Sequence, residues 1–349
     1  MIKLLRAVKY SKSTIKAIHN IGKSVVSVNE DAILDYVEMI EQGKKPYYMG
    51  VKDTKGIEKE ILINLKKEGF IFHTIDEKSV GGRAVDTKLT NPLTGRFMTG
   101  SSSATAINVL LGINDIGVGT DGGGSVLAPA ISVQLYSFLA KGMGLKVNLR
   151  KKSTEGISFE AGIGFIAQNM DVLEKAINVF KKKEINNNYE ICIIKSRLDE
   201  SYIRVNVDRV EITTKIIDLY SDRETLMDNL NKLNKKNTIY ISYEKNVDTY
   251  GIGDSVVGMF SDSGRILQQK ANKGVIRVLN MVNANCLSIP DKELGSAFIL
   301  YTFDNNMTKN MLELGRYIDK NISKNKVFEG YFKDNYELRK NSIVFDLEY

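Results

Sequence analysis

The run Gly119-Thr120-Asp121-Gly122-Gly123-Gly124-Ser125 limits what this chain can build more than any other segment. Glycine loses more backbone freedom on folding than any other residue, so three in succession need a reason. Converging backbone N–H groups on an anion or a reacting carbonyl is one. Ser125, directly after the turn, is then a candidate nucleophile, with the N–H groups of Gly122, Gly123 and Gly124 as a candidate oxyanion hole. A plain glycine turn and a phosphate-binding loop are the other readings. The Walker pattern fails because no Gly-Lys-Ser/Thr follows, and GxGxxG, forced onto Gly117 to Gly122, is weak alone.

Composition removes several function classes. The 349 residues hold only two histidines, His19 and His73, so a multi-histidine zinc site is excluded. A Ser-His-Asp hydrolase would have to use one of those two. Cys192 and Cys286 lack CxxC spacing, which argues against a zinc ribbon or redox pair and for small core residues in a reducing cytosol. The net charge of +7 is spread over short clusters at Arg150–Lys152, Lys181–Lys183 and Lys235–Lys236. A nucleic-acid face would be denser and interleaved with aromatics, so no nucleic-acid partner is expected. The N-terminal MIKLLRAVKYSKS has no apolar run of signal-peptide length, and no stretch approaches a membrane span. The expectation is a cytoplasmic protein with no membrane partner.

Periodicity places the elements. Ile33, Tyr36, Val37 and Ile40 share one face of a helix over Asn29 to Gln42, and Ile57, Ile61 and Leu65 repeat the pattern before Gly69. Phe70 to Ile75 is a buried strand. Ala104 to Leu111 is a helix, Asp115 to Val118 a short strand, and Asp171 to Phe180 a further helix. Tyr189 to Ile194, Ile203 to Val207, Thr238 to Ser242 and Ala297 to Thr302 read as strands, and Met307 to Ile318 as a helix. This alternation predicts an α/β layer structure with a parallel or mixed sheet. A single domain over residues 1–349 is expected, its motif core at about 45–180 and its half from 188 to 320 completing the sheet. The Asn/Lys-rich stretch Lys181 to Asn188 reads as an exposed loop between the halves.

Two further segments carry candidate chemistry. Thr99-Gly100-Ser101-Ser102-Ser103 runs into an apolar helix, where serines ordinarily act as caps. In Met49-Gly50-Val51-Lys52-Asp53, a buried Lys52 would have a lowered pKa and serve as a base, whereas a surface lysine would not. A serine nucleophile needs a base, and with histidine nearly absent a Ser-Lys arrangement is the known substitute.

Taken together, these segments resemble the amidase signature family. The family's Gly/Ser motif precedes a GTDxGGS motif by about the interval that separates Ser101 from Ser125. Val51-Lys52-Asp53 matches its lysine context, and Asn91-Pro92 with Arg96 its upstream element. Gly162 to Ala167, followed by Met170-Asp171-Val172-Leu173, and Asn280 to Pro290 are similar to downstream family elements.

The resemblance implies an α/β fold with α/β/α layers around a large mixed β-sheet. It implies Ser125 as nucleophile, Ser101 as a bridging serine joined to Gly100 by a cis peptide bond, and Lys52 as general base. Gly122, Gly123 and Gly124 would hold the oxyanion, with Ser102 and Asp121 in support or merely structural. The implied activity is hydrolysis of a carboxamide in a small molecule or peptide amide through an acyl-enzyme, with no metal or organic cofactor. An amidotransferase-like or amide-forming acyl transferase with a partner, and a non-catalytic scaffold that retains the fold, are the alternatives. The chain departs from the family pattern at Ser103, Ala104 and Thr105, which replace the usual Gly-Gly-Ser. Leu127 stands where an arginine is frequent, which disfavours an anion bound in that way. The chain is also shorter than most members, so the site is expected to be open or closed by a second copy or a partner subunit. Tyr47, Tyr48 and Met49 line either the pocket or the core.

Overall fold

The structure, a computed structural model, describes residues 2–153, 155–180, 185–186, 188–196 and 210–333. Fourteen strands lie among them. In chain order they are β1 (Val25–Val28), β2 (Tyr47–Lys52), β3 (Phe70–Asp76), β4 (Val85–Thr90), β5 (Phe97–Thr99), β6 (Ile116–Asp121), β7 (Tyr136–Ala140) and β8 (Lys146–Lys152). There follow β9 (Ser158–Ala167), β10 (Glu190–Lys195), β11 (Glu211–Ile216), β12 (Thr238–Glu244), β13 (Asn285–Pro290) and β14 (Ala297–Thr302). Twelve form one mixed sheet in the order β1-β3-β2-β6-β9-β7-β13-β14-β12-β10-β11, with β8 paired to β9, while β4 and β5 form a separate pair. Strands from both halves of the chain share this sheet.

Helices cover both faces, which is why the central strands are buried along their whole length. Alternation sorts the side chains. Met49 and Val51 of β2, and Ile116 and Val118 of β6, point into the layer that holds Ile61 and Leu65 of helix Lys59–Lys67, Leu173 of Met170–Asn178 and Leu314 of Thr308–Asn321. The opposite face holds Tyr10 and Tyr36 of helices Ile2–His19 and Ala32–Glu41 against Tyr48 and Ile71. Helices Ser103–Leu110, Leu127–Ser132 and Arg223–Leu233 are built into apolar clusters separate from the first layer. The architecture is therefore the expected α/β/α arrangement. Tyr47, Tyr48 and Met49 belong to its core.

The helices and strands expected from periodicity are present with ends displaced by a few residues. The strand expected at Ile203 to Val207 lies outside the described residues, as do Lys181–Lys183 and most of the loop assigned to Lys181 to Asn188. Among the described residues, no helix is long and apolar enough to cross a membrane.

Candidate active site

Two neighbouring parallel strands set the site. Strand β2 pairs with β6 in the register Met49↔Ile116, Gly50↔Gly117, Val51↔Val118. Both strands therefore deliver their last residues, Lys52 and Asp121, to one edge of the sheet. Helix Ser103–Leu110 lies close against that edge because β6 carries glycines. A Cβ on Gly117 would stand 2.2 Å from Thr105 Cγ2, and one on Gly119 would stand 2.7 Å from Ser102 Oγ. Val118 lies between them and faces the other layer.

The same approach brings the serines to Lys52. The lysine is 4% exposed. Its Nζ is 2.6 Å from Ser101 Oγ, 3.2 Å from Ser102 Oγ and 3.2 Å from Thr120 Oγ1. Among the described residues no carboxylate forms an ion pair with it. Burial is the main reason its pKa is lowered from 10.5 to about 7; like charge from Lys151 adds to this, Asp121 opposes it, and Lys78 adds a smaller push. Three hydroxyl oxygens match the three hydrogens of an ammonium, and when the amine is neutral one of the hydroxyls can donate to its lone pair instead.

The chain reverses before Ser101 at Gly100, whose φ is +86°. A Cβ there would stand 2.4 Å from Pro129 Cδ and 3.2 Å from the Ser125 carbonyl oxygen, so only glycine fits. The expected cis bond between Gly100 and Ser101 is not observed: no described peptide bond is cis, and the left-handed φ of Gly100 turns the chain instead. The Ser102 N–H donates to the Ser125 carbonyl at 3.2 Å, tying the serine loop to the glycine turn. Ser125 itself is half-buried.

Asp121 organises that turn. Its Oδ1 accepts from the Gly124 N–H at 2.7 Å, and its Oδ2 from the N–H groups of Val126 at 2.6 Å and Leu127 at 3.2 Å. Burial raises its pKa, against these three donors and the charge of Lys52. One expectation is corrected here. The Gly124 N–H points to Asp121, which withdraws it from an oxyanion hole. Among the described residues, the N–H groups of Gly123 and Ser125 donate to no other group.

The downstream segments hold the turn from behind. Asn280 Nδ2 donates to the Gly122 carbonyl at 3.2 Å, and its Oδ1 accepts from the Gly162 N–H at 2.7 Å. Asn91 Nδ2 donates to the Ser132 carbonyl at 2.9 Å, bracing helix Leu127–Ser132. Leu127 is fully buried in an apolar cluster.

Several residues near the turn were not legible from sequence. Thr120 sits inside a motif whose glycines and serine drew attention away from it, yet its hydroxyl reaches Lys52. A Cβ on Gly122 would stand 2.3 Å from Phe159 Cε2. One on Gly124, whose φ is +93°, would stand 3.2 Å from the Ile276 carbonyl. That carbonyl belongs to a segment held by Glu244, which accepts from the N–H groups of Gly274 at 2.8 Å and Ile276 at 3.2 Å. Burial pushes the Glu244 pKa up to about 7. A lone Glu at the end of a strand gives no local signal of such a role.

Sequence comparison finds no matching family model and no matching curated protein. Solved structures do match. An amidase structure superposes with a TM-score of 0.61 at 14% identity, covering 92% of this chain and 96% of that one. 6-Aminohexanoate cyclic dimer hydrolase matches with a TM-score of 0.60 at 9% identity, covering 93% and 95%. Peptide amidase from Stenotrophomonas maltophilia matches with a TM-score of 0.54 at 9% identity, covering 89% and 93%. The chain shares the fold of these amidase-type hydrolases, and at such identities the likeness is one of fold.

Proposed function

We propose that this chain is an amidase signature enzyme that hydrolyses a carboxamide through an acyl-enzyme on Ser125. The observation that carries the reading is the 2.6 Å contact between buried Lys52 Nζ and Ser101 Oγ, with the amine's pKa brought down to about 7. An amine near neutrality is a usable base at physiological pH, whereas an ordinary surface lysine is not.

In this reading neutral Lys52 accepts the Ser101 hydroxyl proton as Ser101 accepts the proton of Ser125. The Ser125 oxygen then forms a bond to the amide carbonyl carbon, and the carbonyl π pair moves onto oxygen. The N–H groups of Gly123 and Ser125, which have no other acceptor among the described residues, stabilise that charge. When the C–N bond breaks, the proton returns through Ser101 to the departing amine. Water next attacks the ester, again losing a proton through Ser101 to Lys52, and releases the acid and free Ser125. Ser102 and Thr120 hold the amine's remaining contacts, and Asp121 fixes the backbone on both sides of the nucleophile.

Intact-mass analysis after treatment with a neutral fluorophosphonate tests this reading. One adduct on wild type and none on Ser125→Ala is expected, together with ammonia or amine release from an amide panel by wild type only. A folded wild-type protein that takes no adduct would refute it and favour a scaffold.

A further inference from the structure

Arg223 is the first residue of helix Arg223–Leu233, and its guanidinium reaches the glycine turn. Its Nη2 lies 3.7 Å from the point where a side chain on Gly123 would begin. The side chain is 14% exposed, and Nη1 pairs with Glu155 Oε2. Nε is buried without a hydrogen-bond partner, and among the described residues Nη2 has no acceptor either. A guanidinium carries five N–H donors, and leaving the buried Nε–H unmatched away from water opposes folding. Packing does not account for a charge held there with donors to spare.

The surroundings add positive charge. Arg277 donates from Nε to the Gly274 carbonyl at 3.1 Å and from Nη2 to the carbonyls of Leu219 at 3.0 Å and Ser221 at 2.8 Å. These acceptors fix it without neutralising it. Burial and the nearness of Arg223 both lower its pKa. Lys151 and Lys78 are close enough for their charge to reach Lys52, and of the two Lys78 is paired with Asp53 at 2.9 Å. Against them stand Glu155, half in solvent on the turn between β8 and β9, and Glu244 and Asp121, both buried and engaged with backbone N–H groups. Among the described residues, Glu155 is the one exposed carboxylate on Arg223.

We infer that Arg223 is a specificity residue for an anionic substrate: an amide whose carboxylate accepts from Arg223 Nη2 while its scissile carbonyl lies at the Gly123–Ser125 turn. Glu155 shares the charge of Arg223 and competes with that carboxylate. The inference rests on the amide-hydrolase reading and adds the substrate's charge to it.

Calorimetric titration of the Ser125→Ala protein tests it with malonamate, succinamate and glutaramate, each against its neutral diamide. At least one carboxylate should bind about tenfold or more tightly than its diamide, as a charge-assisted bond to Arg implies. Adding Arg223→Gln should erase the preference, Arg223→Lys should keep part of it, and Glu155→Gln should strengthen it. Equal binding within every pair, binding of none of these compounds, or a preference that survives Arg223→Gln would overturn the inference. If Arg223→Gln folds poorly, an unchanged preference in Glu155→Gln also counts against it. Fluorophosphonate labelling of Ser125 keeps the two readings apart. Labelling without carboxylate preference sinks only this one, and preference without labelling sinks only the hydrolase.

Discussion

Gly124 donates its N–H to Asp121 Oδ1 at 2.7 Å, so the residue just before Ser125 is held from within its own turn. Because Asp121 Oδ2 takes the N–H groups of Val126 and Leu127, one carboxylate clamps the chain on both sides of the serine. The donors left for a substrate oxygen are those that the clamp does not consume.

Replacing Asp121 by Asn removes one of the two acceptor oxygens and turns an NH2 group toward a backbone N–H. Stability should fall by about 2–4 kcal/mol, from lost charge-assisted bonds and a buried unsatisfied donor. Turnover should drop about 100-fold or more, with KM little altered, because the oxyanion donors shift. Urea unfolding and steady-state kinetics on an amide that wild type cleaves would check both. A variant equal to wild type in each would remove Asp121 from the site.

As the proposed base, Lys52 should set the pH dependence of turnover. Only its lone-pair form accepts a proton, and its pKa is lowered to about 7. Activity should therefore be low on the acid side, rise through about pH 7 and level off above it. Lys52→Ala should lose about a thousandfold at neutral pH, within the range for a positioned base, and should lose this ascending limb. A wild-type profile flat from pH 5 to 9, against this roughly neutral pKa, would contradict the assignment.

The Thr120 hydroxyl, 3.2 Å from Lys52 Nζ, favours the ammonium over the amine. Thr120→Val removes it at nearly constant shape. The Lys52 pKa should fall further, so the rising limb should move toward lower pH. Stability should change by less than about 1.5 kcal/mol, the usual net worth of one hydrogen bond. A limb that stays in place would show that Thr120 does not act on the amine.

Gly100→Ala should be the costly glycine change. The new Cβ meets the Pro129 ring, which cannot rotate away, and the φ of +86° is unfavourable for alanine. A loss of about 2–4 kcal/mol is expected from overpacking and backbone strain together. Fluorophosphonate labelling of any folded fraction should slow strongly, since Gly100 also packs on the Ser125 carbonyl.

Sequence carried the outline of the site because its chemistry is local. The turn from Gly119 to Ser125 announces itself by entropy alone, and Lys52 and Ser101 stand in short recognisable contexts. What sequence hid is of two kinds. Strands β2 and β6 contain Gly50, Gly117 and Gly119, which lower strand propensity. They are glycine because Asn114, Thr105 and Ser102 occupy the space a Cβ would need, a fact set by helix packing and not by neighbours in sequence. The second kind is contact across the fold. Arg223 meets the turn from the second half of the chain, Glu244 holds the segment that packs on it, and neither sits in a pattern that foretells the meeting, whereas Asn280 opens a segment already similar to a family element.

The pairing of β2 with β6 has a consequence for how chains of this kind can diverge. Side chains alternate between the two layers at each step along a strand, so the lysine's direction is a matter of odd and even. Deleting or inserting one residue between Met49 and Lys52, where no bulge takes it up as β3 does opposite Met49 and Gly50, would turn the amine into the opposite layer, among Met49 and Val51, and leave the serines without it. Length can change freely only in the connections outside these strands. An ancestry of gains and losses is therefore compatible with the site as long as every change falls in a loop, and the six residues of β2 form a stretch where evolution can substitute but not resize.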